Sequence, residues 1–326
     1  MKLRTELHIP LAPFSTTHKD AILAIGSCFA DCMGTRLADH KFYTLSNPFG
    51  NIFNPIAISN LLEKSIRRND SFNLVHSHGI WQAYECHTEL GNPDRDILLD
   101  NLTRQINLTH QQLEKAKVLI ITLGTAVVYE ERSLNLIVAN CHKMPAVNFE
   151  KSLLTSQTIT THLAKTIALI YDKYPELNII LTVSPVRHIK ETIPLNMVSK
   201  SILRIACHEL ESKIDKVHYF PSYEIMMDDL RDYRFYKEDL IHPNTTAETY
   251  IWNKFIDSYC PDKTKTLLLK WDKVNKAIQH KPFFPESDGY LQHVVDTISK
   301  LEELLSEMDV NEEIEHLQHV LQNNQV

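Results

Sequence analysis

The stretch Ala21-Ile22-Leu23-Ala24-Ile25-Gly26-Ser27-Cys28-Phe29-Ala30 reads as a short buried strand that stops at a glycine and passes straight into a helix running to about Asp39. The same grammar recurs downstream. Val118 to Leu123 is a continuous apolar run closed by Gly124-Thr125, and Asn178 to Val183 is another, leading into Ser184-Pro185-Val186-Arg187-His188. Helices are expected from Pro55 to about Arg68, Asp96 to Ala116, Ser156 to Tyr174, Ser199 to Ile214 and Thr246 to Tyr259. A further strand is expected over Val217 to Phe220, and a strand or hairpin over Ile80 to Glu89. Apolar strands alternating with helices predict an α/β fold, a parallel sheet covered on both faces.

In open sheets of this kind the ligand crevice lies beyond the carboxyl ends of the strands. Glycine is scarce, seven residues in 326, against a usual share of about 7%, so its positions are informative. Gly26, Gly50 and Gly124 each lie where a loop follows or interrupts an apolar segment. Gly50 sits in Asn47-Pro48-Phe49-Gly50-Asn51-Ile52-Phe53-Asn54-Pro55, which leaves no room for regular structure. These loops and the Ser184 to Arg187 loop are expected to meet at the crevice.

The chain is 43% hydrophobic and 23% charged, an ordinary globular balance. A net charge of -7 with no dense Lys/Arg cluster argues against a nucleic-acid partner. No run approaches membrane-spanning length, and the first residues lack the apolar core of a secretory signal, so a cytoplasmic location is expected. Six cysteines without regular spacing fit a reducing compartment better than a disulfide framework. After Cys260-Pro261 the sequence becomes amphipathic and acidic. This predicts a catalytic domain over residues 1–261 and a C-terminal helical extension over 262–326.

Chemistry concentrates at two places. Ser27 offers a hydroxyl at a helix start, and Asp239-Leu240-Ile241-His242 offers an imidazole with a carboxylate three residues before it. A serine hydroxyl becomes a nucleophile when an imidazole takes its proton, and the imidazole needs a carboxylate to fix its tautomer. The backbone N–H of Ser27, at a helix N-terminus, is a natural oxyanion donor, and the N–H of Gly50 is the expected second one. The plainer role for Ser27 is a helix cap.

Cys28 is a rival nucleophile, but side chains adjacent at a helix start diverge by about 100°, so only one faces the crevice. Cys28 and Cys32 share a helix face and read as core thiols. His76, His78, Cys86-His87 and Cys141-His142 supply metal-ligand types without a recognised spacing, and no metal site is assigned. Arg187, at a strand end, suits a substrate carboxylate or phosphate, or else a structural ion pair. Tyr233 to Tyr236 reads as packing for the loop before Asp239.

Gly26-Ser27-Cys28-Phe29-Ala30 spells the signature of the GSCFA family, and the chain resembles that family, which is similar to the SGNH (GDSL-like) esterase superfamily. Further blocks carry the resemblance: Asn47 to Pro55, Ile121 to Ala126, Asn140 to Pro145, Thr182 to His188 and Ile241 to Asn244, over roughly Phe14 to Phe255. It implies a flavodoxin-like SGNH hydrolase three-layer sandwich. It also implies an ester-bond hydrolase or acyltransferase with Ser27 as nucleophile, Gly50 as oxyanion donor and Asp239 with His242 as the acid–base pair. The superfamily's donor asparagine has no counterpart: Gly124-Thr125-Ala126 stands where Gly-x-Asn is expected, leaving Thr125, Asn51 or Asn54 to supply the donor. The expectation is a serine esterase acting through an acyl-enzyme on a short acyl ester, O-acetyl on a carbohydrate being the example, without a cofactor. Acyl transfer by the same triad and an SGNH-fold binding module are the alternatives. The partner is a small-molecule or carbohydrate ester.

Overall fold

The computed structural model describes residues 4–190 and 192–323. From the N-terminus, β1 (Ala21–Gly26) feeds α1 (Cys28–Asp39), followed by β2 (Thr44–Ser46) and α2 (Pro55–Arg67). A hairpin of β3 (Leu74–Ser77) and β4 (Ile80–Ala83) precedes α3 (Arg95–Lys115) and the longest strand, β5 (Ala116–Leu123). Next come β6 (Val127–Glu131), β7 (Leu136–Val138) and β8 (Phe149–Leu153), then α4 (Ser156–Lys173), β9 (Asn178–Val183), α5 (Ile193–Lys213) and β10 (Val217–Tyr219). The short α6 (Ser222–Glu224) leads to α7 (Thr245–Tyr259), α8 (Asp262–Ile278), α9 (Asp288–Glu302) and α10 (Asn311–Asn323).

The central sheet has the order β10-β9-β5-β1-β2, with every neighbouring pair parallel. Its side chains divide with period 2. Leu23, Ile25, Leu119, Ile121, Ile179 and Leu181 enter one core with residues of α2, α3, α4 and α5. Ile22, Ala24, Val118, Ile120 and Ile180 enter the other with residues of α1 and α7. The result is a three-layer, flavodoxin-like α/β fold whose strand order reverses between β1 and β5, so the crevice opens beside the carboxyl end of β1.

Two departures from the sequence expectation matter for the site. A second sheet, β7-β6-β8, follows directly from β5. Its strands are short, charged and half-exposed, so they carry little apolar periodicity. Helix α5 starts at Ile193 rather than near Ser199, because Pro194 occupies the first turn, where its missing N–H costs nothing.

The last three helices build their own cluster around Trp271, Val294, Leu301 and Leu317. They attach at the far end of α1, where Trp271 Nε1 donates to Asp39 O at 2.8 Å and Asp272 lies 3.3 Å from His40. No helix among the described residues is long and apolar enough to cross a membrane.

Candidate active site

Ser27 ends β1 as the N-cap of α1, in an extended conformation (φ -69°, ψ 175°), with its side chain buried. Its Oγ accepts a long bond from Phe29 N, 3.4 Å. The backbone around it is closely fitted. Gly26 adopts φ +143°, and a Cβ there would lie 2.1 Å from Thr122 O, so the β1–β5 contact excludes any other residue.

The N–H of Ser27 donates to Thr122 O at 3.1 Å and that of Gly50 to Asn47 O at 2.8 Å. Both expected oxyanion donors are therefore held within the fold. Neither bond is visible in the local sequence, because the partners belong to β5 and to a tight turn closed by Gly50 at φ +73°.

The loop from Asn47 to Phe53 wraps this junction. Asn47 Oδ1 accepts from Gly26 N at 2.8 Å, Ile52 N donates to Gly26 O, and Phe53 O accepts from both Gly124 N and Thr125 N. Asn47 Nδ2 also donates to Asn51 Oδ1 at 2.8 Å. That bond consumes the acceptor of the Asn51 amide and leaves its Nδ2, with two N–H bonds, as the donor end. Asn54 is spent as the cap of α2, accepting from Ala57 N and donating to Val138 O. The Thr125 hydroxyl joins Ser199 Oγ at 3.1 Å and accepts from Val127 N at 3.0 Å, which ties it to the start of β6.

On the other side of the crevice, Asp239 closes a turn around His242. Asp239 Oδ1 accepts the N–H groups of Ile241 (2.8 Å) and His242 (3.0 Å), while Oδ2 lies 2.6 Å from His242 Nδ1. These bonds, the His242 backbone amide first, hold the Asp239 carboxyl well below the usual range. An ionised carboxylate only accepts, so Nδ1 carries the proton and Nε2 presents its lone pair. Leu240 takes φ +56° to make the turn.

Arg187, four residues beyond β9, braces this turn. Its N–H donates to Ile241 O, Nη1 to Leu240 O at 3.2 Å, and the guanidinium packs over Tyr233 and Tyr236. No hydrogen bond joins His242 to Ser27 among the described residues. His242 does line a cleft of about 530 Å³ with Cys28, the residue after Ser27, together with Asp31, Arg36, Lys237 and Glu248. Burial raises the Cys28 thiol and pushes Cys32 up to about 12, so neither supplies a thiolate near neutral pH.

Two side chains absent from the expectation complete the surroundings. Lys200 on α5 is 1% exposed, and its Nζ donates to Gly124 O and Ser184 O, both at 2.7 Å, at the carboxyl ends of β5 and β9. Burial lowers it to about 7. His188, lowered to about 3 by burial with the Lys200 and His242 charges adding, has a buried Nε2 without a partner among the described residues. Lys200 was detectable: Asn196, Lys200, Leu203 and Cys207 recur at helical spacing on the buried stripe of α5, where a lysine is out of place. No cluster of three or more His, Cys, Asp or Glu side chains able to hold a metal occurs among the described residues.

A sequence model of the GSCFA family matches residues 21–255, and a model described as the GSCFA C-terminal domain matches residues 271–323. The chain belongs to the GSCFA family. A search of curated proteins finds no match.

Proposed function

We propose that the protein is a serine esterase of the SGNH/GDSL-like kind, or an acyltransferase using the same acyl-enzyme. In this reading Ser27 Oγ attacks an ester carbonyl as His242 Nε2 takes its proton. The imidazolium, steadied by Asp239, then returns the proton to the leaving alcohol. Water, or an acceptor hydroxyl, releases the acyl group in the second half. The observation that carries the reading is the Asp239 turn, which fixes the His242 tautomer and leaves Nε2 available on the cleft that begins at Cys28.

With the amides of Ser27 and Gly50 engaged elsewhere, Asn51 Nδ2 is the donor best suited to the oxyanion, in place of the superfamily's missing asparagine. The 2.6 Å pair sits on an exposed turn, and catalytic contacts commonly shorten only when substrate is bound. The charged lining of the cleft suits a hydroxyl-rich alcohol such as a carbohydrate, and an acetyl ester is the smallest substrate that satisfies the chemistry. The reaction calls for no cofactor. All six cysteines are unpaired, which fits a reducing, cytoplasmic setting.

The second reading, a binding module without turnover, draws its support from the full burial of Ser27 and the engagement of both backbone donors. A fluorophosphonate probe separates the two. The esterase reading expects labelling at Ser27 that is lost in Ser27→Ala and in His242→Ala. A folded wild-type protein that takes up no label supports the binding module.

A further inference from the structure

The carboxyl end of the central sheet carries a second and larger cavity, about 730 Å³, with a different character from the cleft beside His242. Its walls are chiefly apolar and come from the small β7-β6-β8 sheet, with Val127, Tyr129, Val138 and Phe149 among them. The volume falls in the range of about 300–1,000 Å³ typical of small-molecule sites. Three of its lining residues tie the cavity to the framework of the candidate active site. Thr125, one of its lining residues, lies three positions beyond Thr122, whose carbonyl accepts the N–H of Ser27. Phe53, another, ends the loop that is bonded to Gly26 through Ile52. His188, a third, packs edge-on against Phe53, and its buried Nε2 has no partner among the described residues.

The end of β1 is thus tied by backbone bonds to the walls of the apolar cavity, while the residue after Ser27 lines the charged cleft with His242. Direction follows from the mechanism. The base that deprotonates Ser27 must also protonate the leaving oxygen, so the alcohol departs on the His242 side, through the charged cleft. The acyl group then extends to the other side, where the wall is Thr125, Phe53 and His188. We infer that this second cavity is the acyl subsite and that the natural substrate carries a medium-length or aromatic acyl group rather than acetyl alone, an inference that rests on the Ser27 reading. Apolar walls supply affinity through burial, and the unpartnered imidazole nitrogen of His188 supplies one polar contact near the carbonyl end.

The test uses the full chain and two readouts. First, kcat/KM is measured on p-nitrophenyl esters from acetyl to dodecanoyl. The expected gain is roughly threefold for each methylene that the cavity buries, before the series turns over. Val127→Trp, which fills the cavity from a half-buried position, and Ala146→Trp, at its exposed rim, should each lower the octanoyl-to-acetyl ratio at least tenfold. Second, octanoate and acetate are titrated calorimetrically into Ser27→Ala, which reads the subsite without turnover. Octanoate binding at least tenfold tighter than acetate, and weakened by adding Val127→Trp, supports the subsite even if no ester is cleaved. That last combination would overturn the esterase reading alone. A flat chain-length series in an active enzyme, or equal binding of octanoate and acetate, overturns the acyl subsite.

Discussion

At the β1–α1 junction both backbone groups of Ser27 are hydrogen-bonded and its side chain is buried, whereas at the Asp239–His242 turn the side chains are 43% and 40% exposed. The first region is made by the sheet. Its position is set by β1–β5 pairing, by the close approach at Gly26 and by the Asn47 loop bonded to both. The second is made by a surface turn, in which one carboxylate organises two amides and an imidazole while Arg187 braces it from behind. The difference teaches where adjustment has to occur. On the proposed mechanism Ser27 is held at the carboxyl end of an internal strand, so the approach falls to the turn and to side-chain rotamers.

The largest expected effects break one region at a time. Ser27→Ala and His242→Ala should each abolish turnover of a responsive ester, since each removes an indispensable part of one mechanism. They should differ in stability. Ser27→Ala loses a helix cap, worth about 0.5–1 kcal/mol for so long a bond, while His242→Ala should leave urea unfolding unchanged. Retained activity in Ser27→Ala with loss in Cys28→Ala would transfer the nucleophile to Cys28. Next in size is Asn51→Ala, where kcat should fall about 100- to 1,000-fold with little change in KM, as for loss of one oxyanion donor. An unchanged kcat would remove Asn51 from the site.

Between pH 7 and pH 5, acid should act on the buried region and spare the exposed one. His188 has a folded pKa near 3, below the 6.5 of the unfolded chain, so between these values the unfolded state binds the extra proton. Its contribution is fully present above pH 6.5 and is lost as pH falls through that window, about 1–2 kcal/mol by pH 5. Asp239, depressed below its ordinary value, is ionised in both the folded and the unfolded chain between pH 7 and pH 5 and adds almost no slope there; its contribution is lost only as pH falls through the ordinary carboxylate range of about 3.9 and below. His18, lowered to about 4 by burial, adds acid sensitivity of its own. The quantity to read is therefore the difference in melting temperature between wild type and His188→Gln at pH 7 and pH 5. Equal pH slopes in the two proteins would show that His188 is not held neutral.

The core was legible because its signals are local. β9 occupies Asn178–Val183, the span the sequence predicts, and α7 begins one residue before the expected Thr246. Apolar runs, a proline opening α2 and a change of period are properties of contiguous residues. The Asp239–His242 pair was legible for the same reason, since an i,i+3 turn makes its own contact. What escaped depends on distant partners. The capture of the Ser27 N–H by Thr122 needs the β1–β5 register, and the fixing of Arg187 needs the turn it braces. The larger apolar cavity needs β6 and β8, whose segments Val-Val-Tyr-Glu-Glu and Phe-Glu-Lys-Ser-Leu look like surface chain until they pair.

Thr125 tests how far those distant contacts reassign a residue. If its hydroxyl reached the oxyanion, Thr125→Val would lower kcat about 10- to 100-fold, less than Asn51→Ala is expected to do. Instead Oγ1 accepts the N–H of Val127 and pairs with Ser199 Oγ, whose own oxygen accepts the N–H of Ala126. That network fixes the passage from β5 into β6, so the substitution should act chiefly on the fold. Losing the acceptor for a partly buried amide costs about 1 kcal/mol, and kcat should change less than about threefold. Thr125→Ser keeps the oxygen and should restore stability, which separates a hydroxyl effect from a packing effect. Single-turnover acylation and thermal unfolding of the two variants decide the matter. A tenfold fall in acylation with an unshifted melting temperature in Thr125→Val would return Thr125 to the oxyanion and leave Asn51 as a loop anchor.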